Sequence, residues 1–494
     1  MAQQDTSRYR TDGDWAYCYV DGERERAADR EQISVTNPAT GDQIATVPAA
    51  TEADVDRAFE AAATAQPAWA ARPPQERAGV VQRALELLEE HGDAIRETLI
   101  TEGGSTHLKA SLETEELAPG MMAEAVSFPG RAQGRHADSV VPGKENEVRR
   151  EPVGIVGIIS PWNFPFHLSM RAVAPAIALG NAVVLKPSSE TPISGGLAIA
   201  QLFEDAGLPD GVLNVVPGPG STTGERVASH PDLDVLAFTG STGVGRHVAA
   251  LAAAVPAMPA LELGGNNPHV VLSDADLKRA LDAGVFASFM HQGQVCISIN
   301  RHLVHESLYD EYVERLAARA AELTVGDPAD PETDVGPIIS DEQAEEMMEY
   351  VEETVEKGAT VETGGEADGR FVEPTVLSDV GNDMAAACNE HFGPIAPVIP
   401  FADDREAVEL ANDTEYGLAA SVHSTDLERA RSVAEQIEAG MVHINDQPLN
   451  DEPHIPFGGV KASGLGRYNA DAIMHELTET KWISTQHEPR EFPL

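Results

Sequence analysis

The sequence has few cysteines, and they lie far apart. Cys18, Cys296 and Cys388 are the only three in 494 residues. An odd and widely spread set of cysteines does not form the disulfide framework of a small secreted protein. We therefore expect a reducing, cytoplasmic setting for this chain.

Long apolar runs are also missing. The first residues, Met1–Arg10, are polar and lack the apolar core of a signal peptide. No stretch approaches the roughly 18 uninterrupted apolar residues that a membrane-spanning helix needs. The sequence predicts neither export nor attachment to a membrane.

Positive charge is scarce. The chain has 34 Lys and Arg against 81 Asp and Glu, which gives a formal net charge of −47. Such a surface repels nucleic acid backbones and anionic membranes, so we expect no partner of either kind. The only lysines are Lys109, Lys144, Lys186, Lys278, Lys357, Lys461 and Lys481. An acidic, lysine-poor composition resembles that of halophilic proteins from a salt-loaded cytoplasm.

The length and the pattern of the chain predict several α/β domains. A chain of 494 residues is too long for one hydrophobic core. Helical spacing begins after a capping pattern at Thr51, and a second helix is predicted over 75–102. The segment 127–150 contains Phe128-Pro-Gly130, which favours an extended arm over a long helix.

Short apolar runs alternate with helical segments in the rest of the chain, as is typical of parallel α/β sheets. The strands predicted in this way cover residues 155–160, 182–185, 212–216, 235–238, 270–272, 302–304 and 441–444. Helices are predicted between the later ones, over 309–323 and 342–356.

A glycine-rich turn follows one of these strands, in Phe238-Thr-Gly-Ser-Thr-Gly-Val-Gly-Arg246. Glycines let a backbone approach a ligand, and the helix that follows offers free N–H groups to a phosphate. The spacing of the glycines differs from the usual dinucleotide fingerprint. The pattern therefore indicates either a phosphate site or a tight structural turn.

Asn163 stands directly after another predicted strand, in Ser160-Pro-Trp-Asn-Phe-Pro165. Ligands of α/β proteins bind at the carboxyl ends of strands, where an amide N–H can hold a developing alkoxide. The alternative is an Asx turn braced by the two prolines.

Cys296 and Glu262 are the two candidate reactive side chains. Cys296 lies in Gln292-Gly-Gln-Val-Cys-Ile297, where it is either a nucleophile or a small buried apolar residue. Glu262 lies in Leu261-Glu-Leu-Gly-Gly-Asn-Asn-Pro268. An apolar setting raises the pKa of a carboxyl group and suits it to general-base catalysis, whereas a glutamate at the surface end of a strand would be ordinary.

Taken together and in this order, the motifs resemble the aldehyde dehydrogenase superfamily over roughly residues 37–483. The segments that carry the resemblance are Asn37-Pro-Ala-Thr-Gly41, Pro161-Trp-Asn-Phe-Pro165, Phe238-Thr-Gly-Ser241, Leu261-Glu-Leu-Gly-Gly265, Gly293-Gln-Val-Cys296, Glu390-His-Phe-Gly-Pro394 and Pro456-Phe-Gly-Gly-Val-Lys-Ala-Ser-Gly464.

The resemblance implies NAD- or NADP-dependent oxidation of an aldehyde to the carboxylate. Cys296 would attack the aldehyde, Asn163 and the backbone N–H of Cys296 would hold the alkoxide, and Glu262 would activate the water that hydrolyses the thioester. The residues implied at the coenzyme are Trp162, Lys186, Ser189, Gly240, Ser241, Gly245, Glu390 and Phe392. No metal site is expected.

The same resemblance implies an α/β fold with three parts. Residues 1–127 and 151–262 would form a Rossmann-like coenzyme domain, and residues 263–469 an α/β catalytic domain. Residues 128–150 and 470–494 would form a β-arm that builds a homodimer or a homotetramer.

A closer resemblance, to the benzaldehyde and vanillin dehydrogenase branch, lies in three segments. They are Pro161-Trp-Asn-Phe-Pro-Phe-His-Leu-Ser-Met-Arg171, Gly264-Gly-Asn-Asn-Pro268 and His443-Ile-Asn-Asp-Gln-Pro-Leu-Asn-Asp-Glu-Pro453. This likeness implies an aromatic aldehyde as substrate. The residues implied at the substrate are Phe164, His167, Arg171, Ile297 and Phe457.

The chain departs from its relatives at two positions. Many NAD-specific relatives carry a glutamate three residues after the lysine equivalent to Lys186, whereas this chain has Ser189, which leaves room for a 2′-phosphate. Many relatives also carry a lysine nine residues after the asparagine equivalent to Asn163. Here Ala172 stands in that place, so a proton relay through that lysine is absent or displaced.

Two other functions fit these residues less well. A coenzyme A-acylating dehydrogenase would pass the thioester to a thiol, but such relatives usually lack the glutamate equivalent to Glu262. A non-catalytic structural or ligand-binding relative would have no need of Cys296, Asn163, Glu262 and Glu390 together.

The net charge of −47 predicts that the protein depends on salt. At about 0.01 M ionic strength the Debye length is about 30 Å, and at 1 M it is about 3 Å, so molar salt removes most of the repulsion between carboxylates. We expect the melting temperature, the oligomer size and the activity to rise from low to molar KCl. Thermal unfolding and sedimentation across this range would show a flat response if the acidity serves solubility alone.

Overall fold

The computed structural model describes residues 6–26 and 29–493, whose strands form two large sheets, a three-stranded arm and two hairpins. The strands are β1 (Cys18–Val20), β2 (Glu23–Glu25), β3 (Gln32–Thr36), β4 (Gln43–Pro48), β5 (Arg135–Asp138), β6 (Lys144–Pro152), β7 (Ile155–Ile159), β8 (Ala182–Lys186), β9 (Leu213–Val215), β10 (Val235–Thr239), β11 (Met258–Glu262), β12 (Asn267–Val271), β13 (Ile299–His305), β14 (Thr360–Thr363), β15 (Ala367–Asp368), β16 (Phe371–Val372), β17 (Thr375–Ser378), β18 (Ile395–Phe401), β19 (Ala419–His423), β20 (Met441–Ile444), β21 (Gly464–Leu465) and β22 (Thr478–Gln486).

Helices cover both faces of the two sheets. They are α1 (Glu52–Ala70), α2 (Pro74–Gly103), α3 (His107–Ser111), α4 (Ala118–Arg131), α5 (Pro165–Leu179), α6 (Ala198–Asp205), α7 (Glu225–Ala228), α8 (Thr242–Ala254), α9 (Leu277–Phe289), α10 (Tyr309–Ala321), α11 (Asp341–Glu356), α12 (Ala385–Cys388), α13 (Asp404–Asn412), α14 (Leu427–Ala434) and α15 (Ala470–Glu476). Within the described ranges, no helix has the length and apolar character required to cross a membrane.

The first sheet has eight strands in the order β2-β1-β9-β8-β7-β10-β11-β21. Its five central strands, from β9 to β11, run parallel. The four strands predicted between residues 155 and 238 are β7, β8, β9 and β10, so these predictions are confirmed. β21 returns from far along the chain and pairs antiparallel with β11.

The second sheet has seven strands in the order β14-β17-β18-β13-β12-β19-β20. All of its neighbours are parallel except β14 and β17. The strands predicted around residues 270, 303 and 442 are β12, β13 and β20. The prediction of an α/β fold is therefore confirmed in both halves of the chain.

Local sequence signals explain where two helices begin and end. Thr51 caps α1 through a capping box with Asp54, as the sequence predicts. Helix α5 starts with Pro165, whose fixed φ suits the first helical position, and ends before Gly180 at φ 99°. Every residue of α5 except the half-buried Leu168 is buried, and α5 directly follows the loop that carries Asn163.

The arm begins later than the sequence predicts. Helix α4 continues through Phe128-Pro129-Gly130 to Arg131, because a proline in the last turn removes only one helical hydrogen bond while Phe128 and Pro129 are buried. After it, β5 pairs with β6, and β6 pairs along its whole length with β22. At the other end, residues 470–476 form α15, which packs in the core of the first sheet, so β22 starts only at Thr478.

Three buried histidines lie side by side in the second sheet. His269, His302 and His423 stand on neighbouring strands, with the ring centroids of His269 lying 5.5 Å from His302 and 4.7 Å from His423. Burial lowers the pKa of His302 to about 3 and that of His423 to about 4, and it lowers the pKa of His269 well below its usual range. These rings are neutral in the folded protein.

The protein should lose stability in mild acid. A buried histidine with a lowered pKa stays neutral in the folded protein, whereas in the unfolded chain it takes up a proton below about pH 6.5. Its contribution to the stability of the folded state is therefore complete above pH 6.5 and is lost as the pH falls. We expect the free energy of unfolding to fall between pH 6.5 and 5. His423→Leu should reduce this slope by up to about 1.4 kcal/mol per pH unit. Denaturant titrations at several pH values measure the slope of the free energy of unfolding against pH.

The matched control is His454→Leu, because the His454 side chain is 63% exposed. Its slope should equal that of the unaltered protein. An identical slope for His423→Leu would show that this histidine does not titrate with unfolding.

Candidate active site

The predicted site residues gather at one edge of the first sheet. Strands β7, β8, β10 and β11 are parallel neighbours, and their carboxyl ends lie together, with Thr239 paired to Glu262 and Ile159 paired to Lys186. The loop after β7 carries Asn163, and the turn after β10 carries Gly240. This edge is where α/β sheets bind ligands.

Two cavities meet at Cys296. One, of about 260 Å³, contains the predicted coenzyme side chains. The other, of about 320 Å³, contains the predicted substrate side chains. Cys296, Asn163 and Leu168 line both. A ligand in either cavity therefore reaches the same thiol.

Five of the eight predicted coenzyme residues line the first cavity, together with Glu262. They are Trp162, Gly240, Ser241, Glu390 and Phe392. The rings of Trp162 and Phe392 meet edge to face, with centroids 5.5 Å apart. Glu390 accepts a hydrogen bond from the Gly265 N–H at 2.9 Å, and a side chain at Gly264 would overlap its carboxylate.

The other three predicted coenzyme residues lie outside the lining of this cavity. Gly245 is buried inside α8, and a Cβ there would overlap Leu263, so this glycine allows the helix to pack on the sheet. Ser189 donates to the Gly218 carbonyl at 3.1 Å. Lys186 is buried at the end of β8, and burial lowers its pKa to about 8. Among the described residues no carboxylate pairs with Lys186.

The start of α8 suits a pyrophosphate group. Ser241 precedes this 13-residue helix at its N-terminus, and no described side chain caps its first N–H groups. Such groups, together with the positive end of the helix dipole, bind phosphate. Because Gly240 and Ser241 also line the first cavity, the residues present fit a dinucleotide there.

The backbone before Cys296 is held in an unusual conformation. His291, Gln292 and Gly293 have φ of 50°, 57° and 70°, in the left-handed region that non-glycine residues seldom adopt. The Gln292 amide donates to the carbonyls of Gly104 and Pro337. These bonds hold the strained turn, which aims the cysteine at the junction of the cavities.

Side-chain amides fix the cysteine on both sides. Asn267 donates to the Cys296 carbonyl at 2.9 Å and to the Ser298 carbonyl at 2.7 Å. Asn163 donates one N–H to the Gln294 carbonyl at 2.9 Å, which leaves its second N–H for a ligand. Asn163 is therefore more than an Asx turn, since it lines both cavities beside the thiol.

Burial raises the pKa of both candidate reactive side chains. Desolvation and the carboxylates of Glu390 and Glu262 raise the pKa of Cys296 to about 12, against a lowering by Arg171. Burial raises the pKa of Glu262 to about 8. Neither oxygen of Glu262 has a hydrogen-bond partner in the described part of the chain. A carboxyl group in this state is suited to proton transfer near neutral pH.

The second cavity has mostly apolar walls. All five predicted substrate residues line it: Phe164, His167, Arg171, Ile297 and Phe457. Leu168, Phe286 and Met290 add to these walls. His167 and Arg171 lie one turn apart on α5 and share one face of the helix.

Sequence reasoning missed the partner of these two residues. Asp451 accepts hydrogen bonds from His167 at 3.0 Å and from Arg171 at 3.1 Å, and it lines the same cavity. Gln447, Leu449, Asn450 and Glu452 line it too. The signal was present, because all of them fall in the segment 443–453 that carries the closer resemblance.

A second group that the sequence did not reveal is a buried ion pair. Lys109 and Glu113 are fully buried and lie 2.5 Å apart. Lys109 lies over the Phe164 ring, 4.5 Å from its centroid, and Glu113 accepts the His167 N–H at 2.8 Å. The pair thus supports the wall of the substrate cavity from behind.

Comparison with known proteins agrees with this geometry. Residues 25–483 match the aldehyde dehydrogenase family. The chain is 47% identical to the vanillin dehydrogenase of Corynebacterium glutamicum over 97% of both chains. It is 44% identical to the NAD(+) benzaldehyde dehydrogenase of Pseudomonas putida, over 93% of this chain and 94% of that one.

Solved structures show the same fold. An NADP-dependent enzyme of Escherichia coli is 36% identical and superposes with a TM-score of 0.94, covering 98% of this chain and 99% of that chain. With the matched residues, the shared fold and the thiol at the junction of two cavities, this chain belongs to the aldehyde dehydrogenase family and oxidises aldehydes with NAD or NADP.

Proposed function

We propose that this enzyme oxidises aromatic aldehydes to carboxylic acids through a thioester on Cys296. The observation that carries the proposal is the position of Cys296 between a cavity with aromatic walls and a cavity suited to a dinucleotide. Phe164, Phe286 and Phe457 offer apolar surface to a flat ring. The benzaldehyde and vanillin dehydrogenases among its relatives support the same substrate class.

The first half of the reaction forms the thioester. Ionised Glu262 takes the proton of Cys296 and releases it to solvent before the second half-reaction, while the sulfur adds to the carbonyl carbon. The second N–H of Asn163 and the Cys296 backbone N–H stabilise the alkoxide, a role worth about 3 kcal/mol per donor in related chemistry. The nicotinamide, when bound, supplies the hydride acceptor, and the alkoxide then closes to a thioester.

The second half releases the acid. Glu262 takes a proton from water, and the hydroxide adds to the thioester carbonyl. The C–S bond then breaks to release the carboxylic acid, and the departing sulfur of Cys296 takes the proton back from Glu262. The apolar surroundings of Glu262 support this role, because they keep its pKa near 8. Its presence also favours water over coenzyme A as the acceptor of the acyl group.

We propose in addition that the arm joins copies of the chain into a homodimer or homotetramer. β5 and β22 are the outer strands of the arm. The Trp482 side chain on β22 is 66% exposed. Unpaired strand edges and an exposed tryptophan support an interface between copies.

Substitution of the reactive side chains tests the mechanism. Cys296→Ala should reduce turnover of benzaldehyde to below a few per cent. Glu262→Gln should give a burst of about one reduced coenzyme per site followed by little steady-state turnover, because hydride transfer precedes hydrolysis. In the unaltered enzyme the steady-state rate should rise as the pH rises through about 8, as Glu262 loses its proton.

Cys388→Ala is the control for the thiol, since Cys388 is exposed and lines neither cavity. It should keep full activity. Substantial turnover by Cys296→Ala would contradict covalent catalysis at this residue.

The environment of Lys186 and Ser189 predicts that NADP is accepted. Lys186 is a buried cation without a carboxylate partner among the described residues, and Ser189 adds no negative charge beside it. We expect kcat/KM for NADP within about a hundredfold of that for NAD. Ser189→Glu should lower kcat/KM for NADP at least tenfold. Ser189→Gln, which adds size without charge, should lower it much less. An NAD preference of a thousandfold in the unaltered enzyme would refute this.

A further inference from the structure

The substrate cavity holds a cation that is already neutralised. The Arg171 side chain is 3% exposed and stacks on Phe457, with its guanidinium carbon 4.1 Å from the ring centroid. One of its nitrogens donates to Asp451, and Nη2 has no partner among the described residues. An arginine in an apolar cavity is well suited to bind a carboxylate. In this structure the carboxylate that Arg171 binds is that of Asp451.

Asp451 is fixed from three sides. Its Oδ2 accepts from His167 and Arg171, and its Oδ1 accepts from Asn469 at 2.6 Å. Although burial alone would raise it, these neighbours lower the pKa of Asp451 to about 2. The carboxylate is therefore charged at every pH at which the enzyme works.

The carboxylates of the cavity outnumber its cations. Glu116 and Glu452, which are exposed, line it besides Asp451, against Arg171 and His167 as the basic side chains. Three negative groups exceed two positive ones even with His167 protonated. A substrate that carries its own carboxylate meets a negative cavity and an arginine that is already paired.

We infer that Asp451 sets the charge selectivity of this enzyme: by occupying Arg171 it makes the cavity accept neutral aldehydes and reject aldehydes that bear a carboxylate. Asp451 is thus a specificity-determining residue. The inference rests on the proposed aromatic aldehyde oxidation and concerns which aromatic aldehydes enter.

The structure allows the carboxylate to be replaced by an amide. In Asp451→Asn the side-chain oxygen still accepts from His167 and Arg171. The new N–H₂ group faces Asn469, whose Oδ1 has no partner among the described residues and can accept from it after the Asn469 amide turns over. This turn gives up only the 3.3 Å bond from Asn469 to the Glu452 carbonyl.

The test compares two substrates of the same shape, 4-formylbenzoate and 4-formylbenzamide, with benzaldehyde as reference. Assays in 1 M KCl screen the overall charge of −47, while charges inside the cavity are screened much less. The unaltered enzyme should show kcat/KM at least about tenfold higher for the amide than for the benzoate. Asp451→Asn should reduce this ratio to below about threefold, through a gain on the benzoate.

Asp471→Asn is the matched control. It removes one carboxylate from the surface, where Asp471 pairs with Arg131 and is 70% exposed, and it should leave the ratio unchanged. Asp451→Ser, a smaller neutral residue, is measured beside Asp451→Asn and should change the ratio in the same direction. Melting temperatures establish that each variant is folded.

Either of two results would overturn the inference. One is a ratio near one in the unaltered enzyme, and the other is an unchanged ratio in the folded Asp451 variants. Failure of the proposed function looks different, because benzaldehyde itself would then not be oxidised.

Discussion

The buried side-chain amide of Asn267 ties Cys296 to the second sheet. Asn267 is the first residue of β12, and its N–H₂ group reaches the carbonyls of Cys296 and Ser298 while its oxygen accepts the Ala419 N–H at 3.0 Å. A buried amide whose donors and acceptor are all used costs little, whereas one left unpaired costs about 1–3 kcal/mol per group. Buried amide hydrogen bonds of this kind hold the strained turn before Cys296, and they thereby keep Cys296 at the point where the two cavities meet.

The site is assembled from segments that are distant in the chain. Glu262 and Asn163 come from the edge of the first sheet, Cys296 and Glu390 from loops around the second. Two buried ion pairs hold α5 at the substrate cavity, because Glu113, paired with Lys109, accepts the His167 N–H, and Arg171 pairs with Asp451. Breaking a buried pair by removing one partner is costly, so these pairs favour one arrangement of the walls.

The sequence predicted what depends on local pattern. The strands β7 to β10 are predictable because runs of valine and isoleucine alternate with segments that have the apolar spacing of helices. Short motifs point to Cys296, Glu262 and Asn163 as candidate site residues. It did not predict Asp451, since this residue meets Arg171 across 280 positions of the chain. Lys109 and Glu113 are four residues apart, a spacing that is also typical of ion pairs on exposed helix faces, and only packing buries them. The sequence alone does not separate the two roles of a glycine such as Gly245, because one that packs against Leu263 and one that faces a phosphate look alike.

The pairing of β6 with β22 sets an order of events on the ribosome. Arg150 and Thr478 are bonded across 328 positions, so at usual rates of synthesis β6 waits on the order of tens of seconds for its partner. During that time one edge of the newborn β5–β6 hairpin is open to pairing with other chains. Strand β6 is charged at six of its nine positions, which opposes such pairing; its sequence is Lys144-Glu-Asn-Glu-Val-Arg-Arg-Glu-Pro152. The same charges that give the mature arm a solvated surface thus guard the nascent chain against aggregation.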